Sequence, residues 1–221
     1  MAFQFKLDTE AATQNGSGNG KLKSGVHDVI IKGIFLGATN GGNNTIDIVL
    51  ETKQGQKAVI FGMCIDEMWK SGSKNVKYAA WQELALISGI KEGKLAKQAR
   101  KMNGKDEMHD AFIEATGKEV KMAIQEHFDA YNNEVKDSYV LVQTFGKEGH
   151  TVSEKMQNKP ATRIEGFEVT PWYTPAYKAA EEAGTLKKSS GTAEKKEGGA
   201  QADETVAQET SKNATEDAPL F

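Results

Sequence analysis

A single cysteine, Cys64, in 221 residues leaves no partner for an internal disulfide and too few thiols for a cysteine-rich zinc site. Its apolar neighbours suit a small core residue rather than a nucleophile. The four histidines, His27, His109, His127 and His150, show no ligand spacing, so no metal and no other cofactor is expected. No apolar run approaches the ~20 residues that cross a bilayer. Met1 to Glu10 lacks the basic-then-apolar order of a secretion signal, and with so little cysteine a reducing cytoplasm is the expected location. Gly16 through Lys21 imitates a phosphate loop, but its spacing is one residue short and Leu22 stands where a magnesium-holding Ser or Thr belongs. No acid, base and nucleophile set emerges, so an enzyme is not expected.

What is present is unevenly distributed. Residues 181–221 carry nine acids against five lysines, and the remaining chain is close to neutral with 23 bases and 22 acids. From Glu181 onward the sequence is mostly Ala, Glu, Lys, Gly, Ser and Thr, which cannot bury enough surface to offset the entropy of ordering. Three regions are therefore predicted: a flexible extension over 1–23, a folded domain over 24–180, and a disordered acidic tail over 181–221.

The folded part reads as mainly β. Val26 to Leu36, Thr45 to Thr52 and Lys57 to Ile65 form a meander, turned at Asn40-Gly41-Gly42-Asn43 and at Gln54-Gly55. A helix follows, with Trp81, Leu84, Ala85 and Ser88 on one face and Gly89 at its end. Lys118 to Phe128 and Val135 to Phe145 alternate as two further strands around Tyr131-Asn132-Asn133. Arg163 to Val169 reads as an added edge strand. Five strands with a helix between the third and fourth is the element order of an OB-fold barrel; another small barrel or an open α+β sheet is the alternative. Phe35, Phe61 and Phe128 are expected to fill the barrel. The charged stretch 91–110 reads as a solvated helix, with a nucleic-acid lid carrying Lys94, Lys97, Arg100, Lys101 and Lys105 as the other reading.

The chemistry that stands out is aromatic rings interleaved with lysines. Trp69, Lys70, Lys74, Lys77 and Tyr78 cluster around Ser71-Gly72-Ser73, Lys53 and Lys57 flank the second turn, and Tyr131 sits at the third. Ammonium groups attract phosphates, and flat rings stack on any base without reading its edge, so this set is the expected contact for a single strand. Trp81 shares the apolar helix face and is expected in the core. Trp172-Tyr173 suits either a clamp on the barrel or a stacking surface.

The chain closes on Glu216-Asp217-Ala218-Pro219-Leu220-Phe221. Acids beside a stiffened apolar pair fit a small greasy pocket ringed by basic groups, so Glu216, Asp217, Pro219, Leu220 and Phe221 are expected to bind a protein partner. With these features together the chain resembles bacteriophage single-stranded DNA-binding proteins and, more loosely, bacterial SSB, in which an OB-fold precedes an acidic tail ending in phenylalanine. The bacterial tip reads Asp-Asp-Asp-Ile-Pro-Phe; here there are fewer acids, and Leu220 separates Pro219 from Phe221. The resemblance implies a non-enzymatic protein that coats and protects single-stranded DNA in replication, recombination and repair. It would recruit replication or recombination proteins through its tail, act in the host cytoplasm if viral, and accommodate a homo-oligomer. The tail would also compete with DNA for basic surface, since a tethered polyanion has a high effective concentration. The alternatives are a protein–protein adaptor without nucleic-acid affinity, and an annealing or RNA-binding OB protein.

Overall fold

The computed structural model describes residues 21–91, 94–102 and 105–187; the tip residues 216–221 lie outside them. The described chain is mainly β. Its strands are β1 (Gly25–Ala38), β2 (Asn44–Thr52), β3 (Lys57–Cys64), β4 (Ala96–Met102), β5 (Lys105–Ala111), β6 (Glu119–Tyr131), β7 (Glu134–Phe145) and β8 (Trp172–Tyr173). Its helices are α1 (Tyr78–Ser88), α2 (Val152–Met156) and α3 (Pro175–Glu182), with a short 3-10 turn at Ile113–Ala115.

The long first strand organises the rest. β1 pairs antiparallel with β2 through residues 29–38, with β6 through residues 25–30, and with β5 at Phe35. β3 extends the sheet beyond β2, and β7 extends it beyond β6. β3 and β7 then face each other without a shared ladder, across a cleft of about 220 Å³. The antiparallel sheet is not closed into a barrel.

Alternation decides which side is core. Ile46, Ile48 and Leu50 of β2 point inward, as do Ala58 and Ile60 of β3 and Val120, Met122 and Ile124 of β6. Two irregularities keep the pattern in phase. A shift between Ile31 and Gly33 lets Val29 and Ile31, then Ile34, reach the same core despite their change of parity. In β3, Phe61 and Gly62 together oppose Asp47, which returns Met63 to the inside. Gly62 has φ +61°, the left-handed value that a bulge of this kind requires. Trp81 and Leu84 of α1 complete the core, and Gly89 ends that helix at φ +74° with its N–H donating to Ala85 and Leu86 carbonyls.

Several expectations need correcting. β4 and β5 pair antiparallel where the sequence predicts a helix, so the described residues hold eight strands rather than five. Each of its strands lacks an apolar repeat, but across the pair bases meet acids: Lys97 opposes Asp110, Arg100 opposes Glu107 and Lys101 opposes Asp106. Lys97 bridges Asp110 at 3.0 Å, and opposite charges facing each other across the pair stand where an apolar repeat would otherwise be. No strand forms over 163–169; Trp172 and Tyr173 instead add β8 in parallel to His127 and Phe128 of β6.

The domain limits of 24 and 180 are too tight. Leu22 is a core residue, and Lys21 bridges to Asp137 at 2.8 Å. At the other end, α3 runs to Glu182 and Lys187 donates its N–H to the Asn133 carbonyl at 2.7 Å. Thr174 caps α3 by accepting from the Tyr177 N–H, with Pro175 in its first turn.

Candidate nucleic-acid interface

The residues that alternate with the core form a second, outward face on β1, β2 and β3. Phe35, Asp47, Val49, Val59 and Phe61 lie on it. Phe35 is buried but belongs outside the main core, beneath the β4–β5 hairpin, and Phe61 is 62% exposed. Neither fills the interior, contrary to the sequence reading. Phe128 does not either: its ring stacks on Tyr173 at 5.1 Å and 13° and tilts against Tyr177. A period-two pattern says that alternate residues share a face, but Phe61 falls on the outside because its bulge resets the phase.

Arg100 of β4 reaches over this face. Its guanidinium lies 5.2 Å from the Phe35 ring centroid and 5.8 Å from that of Phe61, and donates to Asp47 Oδ2 at 2.7 Å. Asp47 Oδ1 accepts the bulge N–H of Gly62, also at 2.7 Å. One carboxylate thus fixes both the bulge that presents Phe61 and the cation beside it. Gly33 makes room: a Cβ there would sit 2.6 Å from the Phe35 ring. Lys32 and Lys101 flank the resulting cleft, whose volume is about 410 Å³.

Phe61 also borders the cleft between β3 and β7, where Lys77, His127 and Tyr139 gather. Although Lys77 is exposed as a residue, burial of its amine lowers its pKa. Burial pushes the His127 imidazole below its usual value, Lys77 adds to that shift, and Asp129 opposes it. The His127 ring packs on Trp172 at 4.2 Å, and Trp172 keeps 46% of its surface open. Aromatic and cationic groups therefore continue from the hairpin, through Phe61, to Trp172.

The residues chosen from sequence are dispersed, with Lys77 in the cleft between β3 and β7 and the rest elsewhere. Trp69, Lys70 and Lys74 share a tight loop closed by Gly72 N–H to Trp69 O and Trp69 N–H to Ser73 O, both 2.8 Å. Lys70 N–H donates to Asn43 Oδ1, which docks this loop on the β1–β2 turn. Trp69 is half-buried and both lysines are exposed. Tyr78 is half-buried against the core. Lys53 and Lys57 sit at the opposite end of β3, roughly 20 Å along the strand, and Lys53 lies 3.9 Å from Asp28. Tyr131 projects from the tip of the β6–β7 hairpin, 61% exposed, with the Lys136 ammonium 4.3 Å above its ring. Asn132 and Asn133, at φ +51° and +64°, make the left-handed turn there.

Sequence reasoning passed over Phe61 and Arg100 as the centre of the site. The available signals were Phe61-Gly62 inside a strand, a bulge pattern, and the basic run of 97–101 facing acids in 106–110. No protein-family model matches the chain, and no curated protein matches it at a significant level.

Proposed function

We propose that the protein binds single-stranded DNA across the outer face of β1–β3 and the adjoining loops. It would coat single strands in replication, recombination or repair and recruit partners through residues 216–221. The observation that carries this reading is Phe61, an aromatic platform left open beside Arg100, Lys32 and Lys101. Cations draw in the phosphates, and an open ring offers sequence-independent stacking. The element order supports an OB-type scaffold: with the β4–β5 hairpin set aside as an insertion, the chain runs three strands, helix, two strands, and β1 pairs with both β2 and β6.

The test is a titration of a labelled thymine oligonucleotide, repeated with duplex and across salt. Preference for the single strand, weakening as salt rises, and quenching of Trp69 or Trp172 fluorescence are expected. Salt-insensitive or absent binding moves a protein–protein adaptor to first place. Faster pairing of complementary strands, or preference for the same sequence in RNA, identifies the annealing or RNA-binding reading instead. A chain truncated after Glu182 is expected to bind oligonucleotide more tightly at low salt, and no change sinks the competition by the acidic segment.

A further inference from the structure

A second concavity shares no lining residue with the aromatic cleft and has a different chemistry. It lies between α1 and α2, with a volume of about 450 Å³. Its apolar surface comes from Leu86, 64% exposed on α1, and from Val152 and Met156 of α2, the latter 81% exposed. Exposed Leu and Met placed together on two neighbouring helices have no folding role that their burial would explain. Lys147, His150 and Lys155 stand on the rim, and Lys159 continues it next door. Lys147 is neutralised by Glu119 at 2.8 Å, and Glu148 lies nearby, whereas Lys155 and Lys159 form no ion pair among the described residues.

The wall carrying Met156 is built rather than loose. Thr151 and Glu154 cap α2 reciprocally, and the buried Glu154 carboxylate also accepts from Thr162 and Arg163 N–H at 3.0 and 2.8 Å. Those hydrogen bonds, the Thr151 N–H first among them, bring its pKa down to about 2.

We propose that this pocket docks an acidic peptide segment that carries a bulky apolar pair. Two arguments select that occupant over a nucleic acid. No Phe, Tyr or Trp lines the pocket, so a base has only the rim imidazole of His150 to stack on, while Leu86 and Met156 suit aliphatic or phenyl groups. Lys155 on its edge and Lys159 beside it suit carboxylates placed a few residues away from those groups. Glu216-Asp217 followed by Leu220-Phe221 displays this chemistry within the chain's own sequence, which makes it the natural probe. The inference is independent of the nucleic-acid reading.

The experiment titrates the full chain into a labelled peptide of the sequence 211–221 and follows fluorescence anisotropy, with and without saturating thymine oligonucleotide. Saturable binding is expected, weakened roughly tenfold by Met156→Ser and by Leu86→Ser. Lys155→Glu should weaken it too, and Phe61→Ala should not. A peptide with Leu220 and Phe221 both replaced by serine should fail to bind. Binding that survives Leu86→Ser and Met156→Ser, or that is lost in Phe61→Ala, would overturn the proposal by placing the peptide elsewhere. Both substituted side chains are exposed, so loss of binding with an unchanged melting curve cannot be assigned to unfolding.

Discussion

The two faces of the β1–β3 sheet are written by the same strands and obey opposite rules. Inward, Ile46, Ile48 and Leu50 are aliphatic and fully buried. Outward, Asp47 and Val49 alternate with them, and Phe61 joins an arginine, two lysines and open water. The inner face needs only hydrophobicity and volume, so many sequences would satisfy it. The outer face spends a bulge, a left-handed glycine and a nearly buried guanidinium on holding one phenylalanine outward. Expense of that kind without a gain in core burial sets the outer face apart from the inner one.

The largest expected effect lies inside. Ile48→Ala should cost about 2–5 kcal/mol of stability by lost burial and a residual cavity, read from denaturant midpoints. Oligonucleotide affinity, measured where the variant is still folded, should stay near that of the parent. Phe61→Ala should do the reverse: affinity for a thymine oligonucleotide drops by the equivalent of about 1–3 kcal/mol, with a melting temperature close to the parent's. If both variants lower stability alike, the division between the faces collapses.

Gly33→Ala probes the contact between them. Its new methyl meets the Phe35 ring, so the ring and the Arg100 above it must shift, at about 1–3 kcal/mol of stability and with weakened oligonucleotide binding. Loss of stability with unaltered binding would detach Arg100 from the site.

The smallest expected signal is acid-dependent and comes from the cleft between β3 and β7. Folded His127 takes up a proton less readily than the unfolded chain, whose value is near 6.5. Below that pH the unfolded state binds more protons, so stability declines as pH falls through 6.5 and recovers above it. His127→Gln should flatten stability between about pH 6.5 and 5, and an unchanged slope would remove His127 as its source.

Much of this plan was legible in the residues. The meander, α1 with its Gly89 stop, the Asn132-Asn133 turn and the inward set of β6 all follow from period and turn chemistry. The β4–β5 hairpin did not show, because its order lies in charges matched across two strands rather than along either one. β8 did not show because two residues carry no periodicity. The centre of the candidate site was hidden for a related reason: Phe61 looks like core by composition and alternation, and only Asp47, fourteen residues earlier, fixes the bulge that turns it outward.

The strap from Thr170 to Tyr177 has a consequence for how the molecules behave in a crowd. β1 leaves β6 at Gly25, opposite Ile124, and beyond that point the backbone of His127 and Phe128 would stand as a bare template for another chain. Trp172 and Tyr173 occupy it, Thr174 N–H fills the Phe128 carbonyl, and Gln125 fastens the strap by donating to Thr170 O. Chains cut before residue 170 should stick to one another edge to edge. The same eight residues that frame an aromatic surface therefore also serve as a hem, keeping each sheet from being sewn to its neighbour's.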